Sequence, residues 1–513
     1  MSKIRALYLN EMIKISKKIS ILVMAAIMVV GMIGLSGLMK LQERMMQQDG
    51  YYQDDQSWML EEMEQISANL KAQEEDLQNQ LDATDQEDNP AEYQQLAYQL
   101  SSLQREYEMY QLAIKENIML IGPETYLTRT LYKISDLESE LAALPPEAER
   151  TTEDQASAED IEAKLSTCEE ILKARSFEKY IELESDAIEA DQTMSNDQKV
   201  ISTEKLELWY KLDPTGGIES SGNDYMIQQT LSEFENIKTS LAEGIDYTGN
   251  EGVKPLTPDK YGELENDLAV LLYRAENDML ASQYTSEGLG QAAVSTMVGF
   301  GTSMIVLMIL ILAGGAVSQE IATGSIKSLI IAPVKRWKIF TAKLMSLLTV
   351  GIVGMIVHYV LVIILTGIFF GLDTLQPYVF AVSGKAGSLN PFVYLLAGQG
   401  VRLLDVIVFM SFALMLSVLT RNTAASVGIS MASFFGVSLA SELLFILPAA
   451  EWIKFLPFNH LSLISKFFPF AEQNYFMENQ NETTLVFSLI YITIAVVCMI
   501  YTALDSFNRR DIK

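Results

Sequence analysis

ISILVMAAIMVVGMIGLSGLM, residues Ile19–Met39, is a run of 21 uncharged residues between Lys18 and Lys40. As a helix it is about 31 Å long, which matches the hydrocarbon core of a bilayer. A cleaved signal peptide would share the basic lead-in. However, the run is long for a signal's apolar region, and Leu35-Ser36-Gly37 is a poor small-residue cleavage site. Ile19–Met39 therefore reads as a first membrane span, and the rest of the chain is interpreted from it.

Charge is divided sharply on either side of that reading. The 513 residues carry a formal net charge of -29, yet 49% of them are hydrophobic. Lys40 to Gly290 holds 55 acidic and 19 basic residues, whereas the remaining 262 hold 11 acidic and 18 basic. An acidic, water-soluble block is thus set into a basic, apolar remainder. A nucleic-acid binder would need a basic face, so that class is excluded. The two cysteines, Cys168 and Cys498, lie in environments that should not meet, which excludes a disulfide scaffold.

Beyond the block, uncharged runs recur. There are 32 such residues between Glu287 and Glu320, and 29 between Lys343 and Asp373. Further apolar runs cover about 397–420, interrupted near its start by Arg402 and Asp405, then 422–440 and 483–504. The expected fold is an all-α integral membrane protein with six transmembrane helices. An amphipathic interfacial helix occupies 1–18, and a large helical, coiled-coil insert occupies 40–290 between spans one and two. Five further spans and short broken helices at 448–482 fill 291–513. Lys3, Arg5, Lys14, Lys17 and Lys18, then Lys327, Lys335, Arg336, Lys338 and Lys343, then Arg509, Arg510 and Lys513 fall on one side of such a topology. The positive-inside rule makes that side cytoplasmic, so both termini are cytoplasmic and 40–290 is extracytoplasmic.

Within the acidic block, Tyr93, Leu96, Leu100, Leu103, Tyr107, Tyr110 and Ile114 recur at alternating spacings of three and four, a coiled-coil seam. Met59, Met63, Ile66, Leu70, Leu77 and Leu81 keep a looser version, and Asp82 to Pro90 breaks the two apart. The pattern predicts an antiparallel helical hairpin with little strand. In 1–19, Ile4, Tyr8, Met12, Ile15 and Ile19 share one helical face opposite Lys3, Asn10, Lys14 and Lys17, as in a helix lying in a membrane interface.

Signatures of covalent chemistry are lacking. The sequence has no G-x-x-x-x-G-K-[ST] phosphate loop, no H-E-x-x-H and no G-x-S-x-G, and its only histidines are His358 and His460. No catalytic residue, metal site or bound cofactor is predicted. Arg402 and Asp405, at i and i+3 near the outer end of the fourth span, and Glu442 near that of the fifth, are candidate intramembrane or vestibule charges. His358 reads as a packed interhelical donor.

The stretch Ser318 to Lys343 carries a more specific pattern: Glu320, Gly324-Ser325, Lys327, Pro333, Lys335-Arg336 and then Lys343. It resembles the cytoplasmic loop of ABC transporter permeases of the type 2 membrane class, with Ser325 where Thr is usual and Lys335 where Ser is usual. Asn10-Glu11-x-x-Lys14, Phe455-Leu456-Pro457-Phe458 and the closing Phe507 to Ile512 also resemble that family. The resemblance covers about half the chain, and the acidic block lies outside it.

It implies a permease subunit of an ATP-driven exporter, itself not an enzyme, working as a dimer with a second permease copy or a paralogue in a bacterial cell membrane. ATP and magnesium would be bound in a separate ABC ATPase subunit. Glu320, Gly324, Lys327, Pro333 and Arg336 would couple to it. Glu320 would pair with Lys327, Gly324 would allow close backbone approach, and Pro333 would set a turn. Lys338 and Lys343 read as ordinary positive flanks. The other reading is a membrane-anchored surface scaffold or sensor whose coil recruits envelope partners without transport.

Overall fold

The computed structural model describes residues 2–48, 57–84, 89–121, 124–217, 224–248, 254–280, 286–325, 334–444, 452–470 and 483–509. The chain is mostly helical and is a multi-pass membrane protein. Among the described residues, five helices are long and apolar enough to cross a membrane: 19–45, 288–322, 336–369, 391–420 and 485–509.

Helix α1 (Ser2–Ser16) is followed by α2 (Ile19–Gln48), which contains the first apolar run. The acidic block supplies α3 (Ser57–Ala83), α4 (Pro90–Glu116), α5 (Tyr126–Ala143), α6 (Thr152–Ala174), α7 (Phe177–Ala190), α8 (Asn196–Leu212), α9 (Asp224–Glu243) and α10 (Pro258–Glu276). The membrane part continues with α11 (Ser286–Gly315), the short α12 (Ser318–Ala322), α13 (Arg336–Phe369), α14 (Pro391–Thr420), α15 (Thr423–Leu444) and α16 (Leu485–Arg509). The fifth predicted run is α15, a helix of 22 residues.

Local sequence explains the block. Thr125, Thr151, Ser176, Ser195 and Thr257 cap α5, α6, α7, α8 and α10, each accepting a backbone N–H with its side-chain oxygen. Thr151–Asp154 and Ser195–Gln198 complete reciprocal capping boxes. Helices α3 and α4 lie antiparallel, with Gln104 on Glu74 at 2.9 Å and Gln111 on Ser67 at 2.7 Å. Of the predicted seam, Leu100 is buried while Tyr93, Leu96, Leu103 and Tyr107 are only half-buried. The block's core includes an aromatic cluster: Tyr126, Phe177 and Trp209 pack together, and the Arg129 guanidinium lies 4.5 Å over the Trp209 ring.

One β-hairpin, β3 (Tyr378–Val382) with β4 (Lys385–Leu389), follows α13. Ser383 and Gly384 form its two-residue turn with φ of 51° and 71°, the doubly left-handed geometry that matches strand twist. A shorter ladder, β1 (Ile245–Asp246) with β2 (Lys254–Pro255), precedes α10. The β3–β4 hairpin joins the acidic block to the membrane part. Val270 on α10 packs with Val379 and Ala381, Tyr273 bonds Ser388 at 3.0 Å, and Asn266 accepts the Gly384 N–H at 2.9 Å. Arg274 on α10 also donates to the Phe470 carbonyl.

Asp267 lies at this junction and lines a cavity shared with Glu233 and Arg274. Burial, reinforced by Glu263 and opposed by Lys260, pushes its carboxyl up to about 6. The folded state therefore holds this proton at pH values where the unfolded chain has lost it. Stability is highest below the unfolded value near 4 and falls as pH rises to about 6. Asp267→Asn should remove that slope and raise stability at pH 7. Because the group is only half-buried, the gain should be about 1 kcal/mol or less. Melting temperature measured from pH 4 to 8 checks it.

Candidate functional site

Two glutamates and two lysines from three separate parts of the chain meet where α1, α12 and α13 converge. Lys343 Nζ lies 3.0 Å from Glu11 and 2.8 Å from Glu320, and the Lys343 side chain is 2% exposed. Lys14 Nζ lies 3.2 Å from Glu11 and 3.1 Å from Glu320. Each carboxylate thus holds both ammonium groups. Lys18 adds a third cation, 3.3 Å from the Gln319 amide oxygen. Burial opposes the charge on Lys14, but Glu320 and Glu11 outweigh it and hold its pKa above the ordinary lysine value. On Lys18 burial prevails, with repulsion from Lys343 added, and its pKa falls. These side chains surround a cavity of about 320 Å³ that also touches Leu312, Thr323 and Ser346.

The sequence brings these groups together for local reasons. Helix α1 stops at Ser16 and a turn over Lys17–Lys18 restarts the chain as α2, with Lys18 N donating to Ile15 O at 2.9 Å. Ile15 is buried and Tyr8 bonds Thr349 at 3.1 Å, which sets α1 against α13 and directs Glu11 inward. Ile19, expected on the same face, belongs to α2 and is 75% exposed.

A seryl knot holds α12 on its other flank. The Ser417 hydroxyl on α14 accepts the Val317 N–H at 3.1 Å and the Ser318 N–H at 3.0 Å. Ser318 Oγ lies 3.1 Å from the Thr423 hydroxyl, and Ser426 bonds the Gly314 carbonyl at 2.7 Å. Gly314 permits this approach, since a Cβ there would sit 2.8 Å from Val427. Ser417→Ala would leave two buried N–H groups without their acceptor, at about 1–3 kcal/mol for each. We expect a loss of about 2 kcal/mol in thermal stability, and faster proteolysis at Glu320–Ser325.

The sequence-predicted set is placed as follows. Glu320 points into the charge cluster, where its partners are Lys343 and Lys14. Both lysines take its Oε1, and Oε2 is buried with no partner among the described residues. Lys343 is not a solvated flank but the most buried member of the cluster. Burial between α1 and α12 excludes water from its ammonium, which only two carboxylates can compensate. Gly324 has φ +72° with open space around it, so it is required for backbone conformation rather than for a close approach within this chain. Arg336 bonds the Asn508 carbonyl at 3.2 Å, tying the start of α13 to the end of α16. Lys327 and Pro333, and the Glu442 side chain, lie outside the described residues.

Asp405 is the fifteenth of the thirty residues of α14, about 21 Å from the helix start, and Arg402 is one turn earlier. The pair therefore lies near the middle of the helix. Asp405 Oδ1 accepts the Ser462 N–H at 3.2 Å. His358, fully buried on α13, bridges two neighbours: Nδ1 lies 3.2 Å from Gln399 Oε1 and Nε2 lies 3.3 Å from the Met297 carbonyl. Glu11 figures in sequence only within Asn10-Glu11-x-x-Lys14, not as a partner of Lys343, and Gln399 does not figure at all. For Glu11 the available signal was an acid on the inward face of a basic helix.

Residues 268–513 match the family described as a protein of unknown function, DUF2705. Two Bacillus subtilis (strain 168) proteins are also similar to part of the chain. The uncharacterized protein YhcI is 25% identical over 209 residues, which are 40% of this chain and 64% of the relative. The uncharacterized membrane protein YdbK is 27% identical over 210 residues, 40% of this chain and 76% of the relative. The chain thus spans less than two thirds of the length of the first.

Proposed function

We propose that this chain is the permease subunit of an ATP-driven exporter of the type 2 ABC membrane class. On this reading α15 is the sixth span, alongside the five longer helices. Both termini and the Ser318–Lys343 segment face the cytoplasm, and residues 40–290 stand outside a bacterial cell membrane. Two permease copies, or a copy and a paralogue, form the pathway, and a separate ABC ATPase subunit binds ATP and magnesium.

The observation that carries the reading is the attachment of α12. This five-residue helix precedes the segment that would dock on the ATPase. Glu320 ties it through Lys343 to α13 and through Lys14 to α1, and Ser417 ties it to α14. A push on so short an element therefore acts on α1, α13 and α14 together, as a lever between an external motor and the spans requires.

The test is purification of the full chain from its own cell. We expect an ATP-hydrolysing subunit to accompany it, with hydrolysis stimulated by the permease. Glu320→Gln should keep the chain in the membrane but lower stimulated hydrolysis about tenfold, equivalent to ~1.4 kcal/mol. The absence of any nucleotide-hydrolysing companion, or an unaltered rate in Glu320→Gln, would reject the proposal and leave an anchored helical scaffold.

A further inference from the structure

A cavity of about 370 Å³ lies between α11, α14, α15 and the chain at 461–464, at the level of Arg402 and Asp405. Its lining is divided by chemistry. Arg402, Asp405, Thr302 and Ser303 are polar, while Val306, Phe409, Phe434 and Leu461 are apolar, with the two phenylalanine rings 5.2 Å apart edge to face. Charged groups within a membrane-spanning helix are expensive and occur where something is bound or moved.

Three features of the polar half point to a ligand. Gly398 makes room for the Arg402 guanidinium: a Cβ there would sit 3.1 Å from its Nη1. Ser462 adopts φ +56°, costly for a serine, and in that conformation its N–H reaches Asp405. The Thr302 hydroxyl is buried beside this cavity and has no partner among the described residues, although helical threonines commonly bond back to a carbonyl one turn earlier.

We propose that this cavity binds the headgroup of a zwitterionic phospholipid. Its phosphate would lie at Arg402 and Thr302, its ammonium at Asp405, and the first part of an acyl chain along Phe409 and Phe434. One cation and one anion match a headgroup of no net charge, and the lining turns apolar beyond them. The volume is that of about a dozen waters at ~30 Å³ each, enough for a headgroup but not for two chains, which would continue into the bilayer. The proposal does not depend on the exporter reading, because binding needs no ATPase.

The test uses the purified full chain in maltoside micelles and a spin-labelled lysophosphatidylcholine, with the immobilised fraction read by electron paramagnetic resonance. The expected result is binding at least about tenfold tighter than that of a spin-labelled fatty alcohol of equal chain length, a difference of ~1.4 kcal/mol. Soluble glycerophosphocholine should compete at least about tenfold more weakly than unlabelled lysophosphatidylcholine. Arg402→Gln should weaken binding about tenfold. If that variant does not fold, Thr302→Val decides. Its melting temperature should be unchanged or higher, since the lost hydroxyl has no partner among the described residues, while its affinity for the lysolipid falls severalfold. Equal binding of the fatty alcohol, equal competition by the soluble headgroup, or unchanged affinity in Thr302→Val would each overturn the proposal.

Discussion

Replacing Lys343 by alanine is expected to destabilise the folded chain by about 3–5 kcal/mol and to release α1 from the bundle. The magnitude follows from what the substitution leaves behind. Lys343 is buried between Glu11 and Glu320, at 3.0 and 2.8 Å. Its removal leaves two carboxylates sharing Lys14, whose side chain is 42% exposed and therefore better solvated and less able to compensate them. Uncompensated buried charge is the costly outcome, more than loss of the attraction itself. A triple replacement, Lys343→Met with Glu11→Gln and Glu320→Gln, removes the charge together with its partners and should recover most of the loss. Scanning fluorimetry of the purified variants measures the stability. Trypsin cleavage at Arg5, Lys14 and Lys17 measures the release of α1. A Lys343→Ala chain that melts with the parent and keeps α1 protected would show that the ion pairs do not hold this corner.

That cluster also shows where reading the sequence stops. Spans are legible because membrane crossing is a property of contiguous residues: an uncharged run of the right length is sufficient. The capped helices of the acidic block are legible for the same local reason. The ion cluster is not, because Glu11 and Lys343 are 332 positions apart and nothing local marks them as neighbours. The positive-inside rule also absorbs any lysine near a membrane edge, so nothing in the sequence separates Lys343 from a solvated flank. The β3–β4 hairpin had a local signal, Ser383-Gly384 between Tyr378–Val382 and Lys385–Leu389. Each strand is only five residues long and lies between two long apolar runs, from which it does not stand out. Arg402 and Asp405 stand out in sequence as charges within an apolar run. The start of their helix is less legible, since Pro391, tolerated in the first turn, begins it earlier than the hydrophobic run suggests.

The largest effect of a single added atom is expected at Gly301. A Cβ built there would lie 2.1 Å from His358 Nε2 and 2.4 Å from its Cδ2, far inside any contact that real side chains make. The imidazole has no room to yield. It is fully buried, and its two nitrogens are held by the Met297 carbonyl on α11 and the Gln399 side chain on α14. Gly301→Ala must therefore separate α11 from α13 or break both hydrogen bonds. Either costs more than the 1–3 kcal/mol typical of overpacking, so about 3 kcal/mol or above is expected, seen as little or no monodisperse protein on size exclusion. Glycine serves here because two helices and a ring occupy the same space, and this gives the prediction its control. His358→Ala alone should destabilise by opening a cavity and leaving the Gln399 amide unpaired. Combined with Gly301→Ala, it should restore folded protein relative to the glycine variant alone, because the added methyl enters the volume the ring vacates. The two substitutions should then couple by up to about 3 kcal/mol in the favourable direction. Simple additivity of the two losses would mean that α11 and α13 are not in contact through this ring.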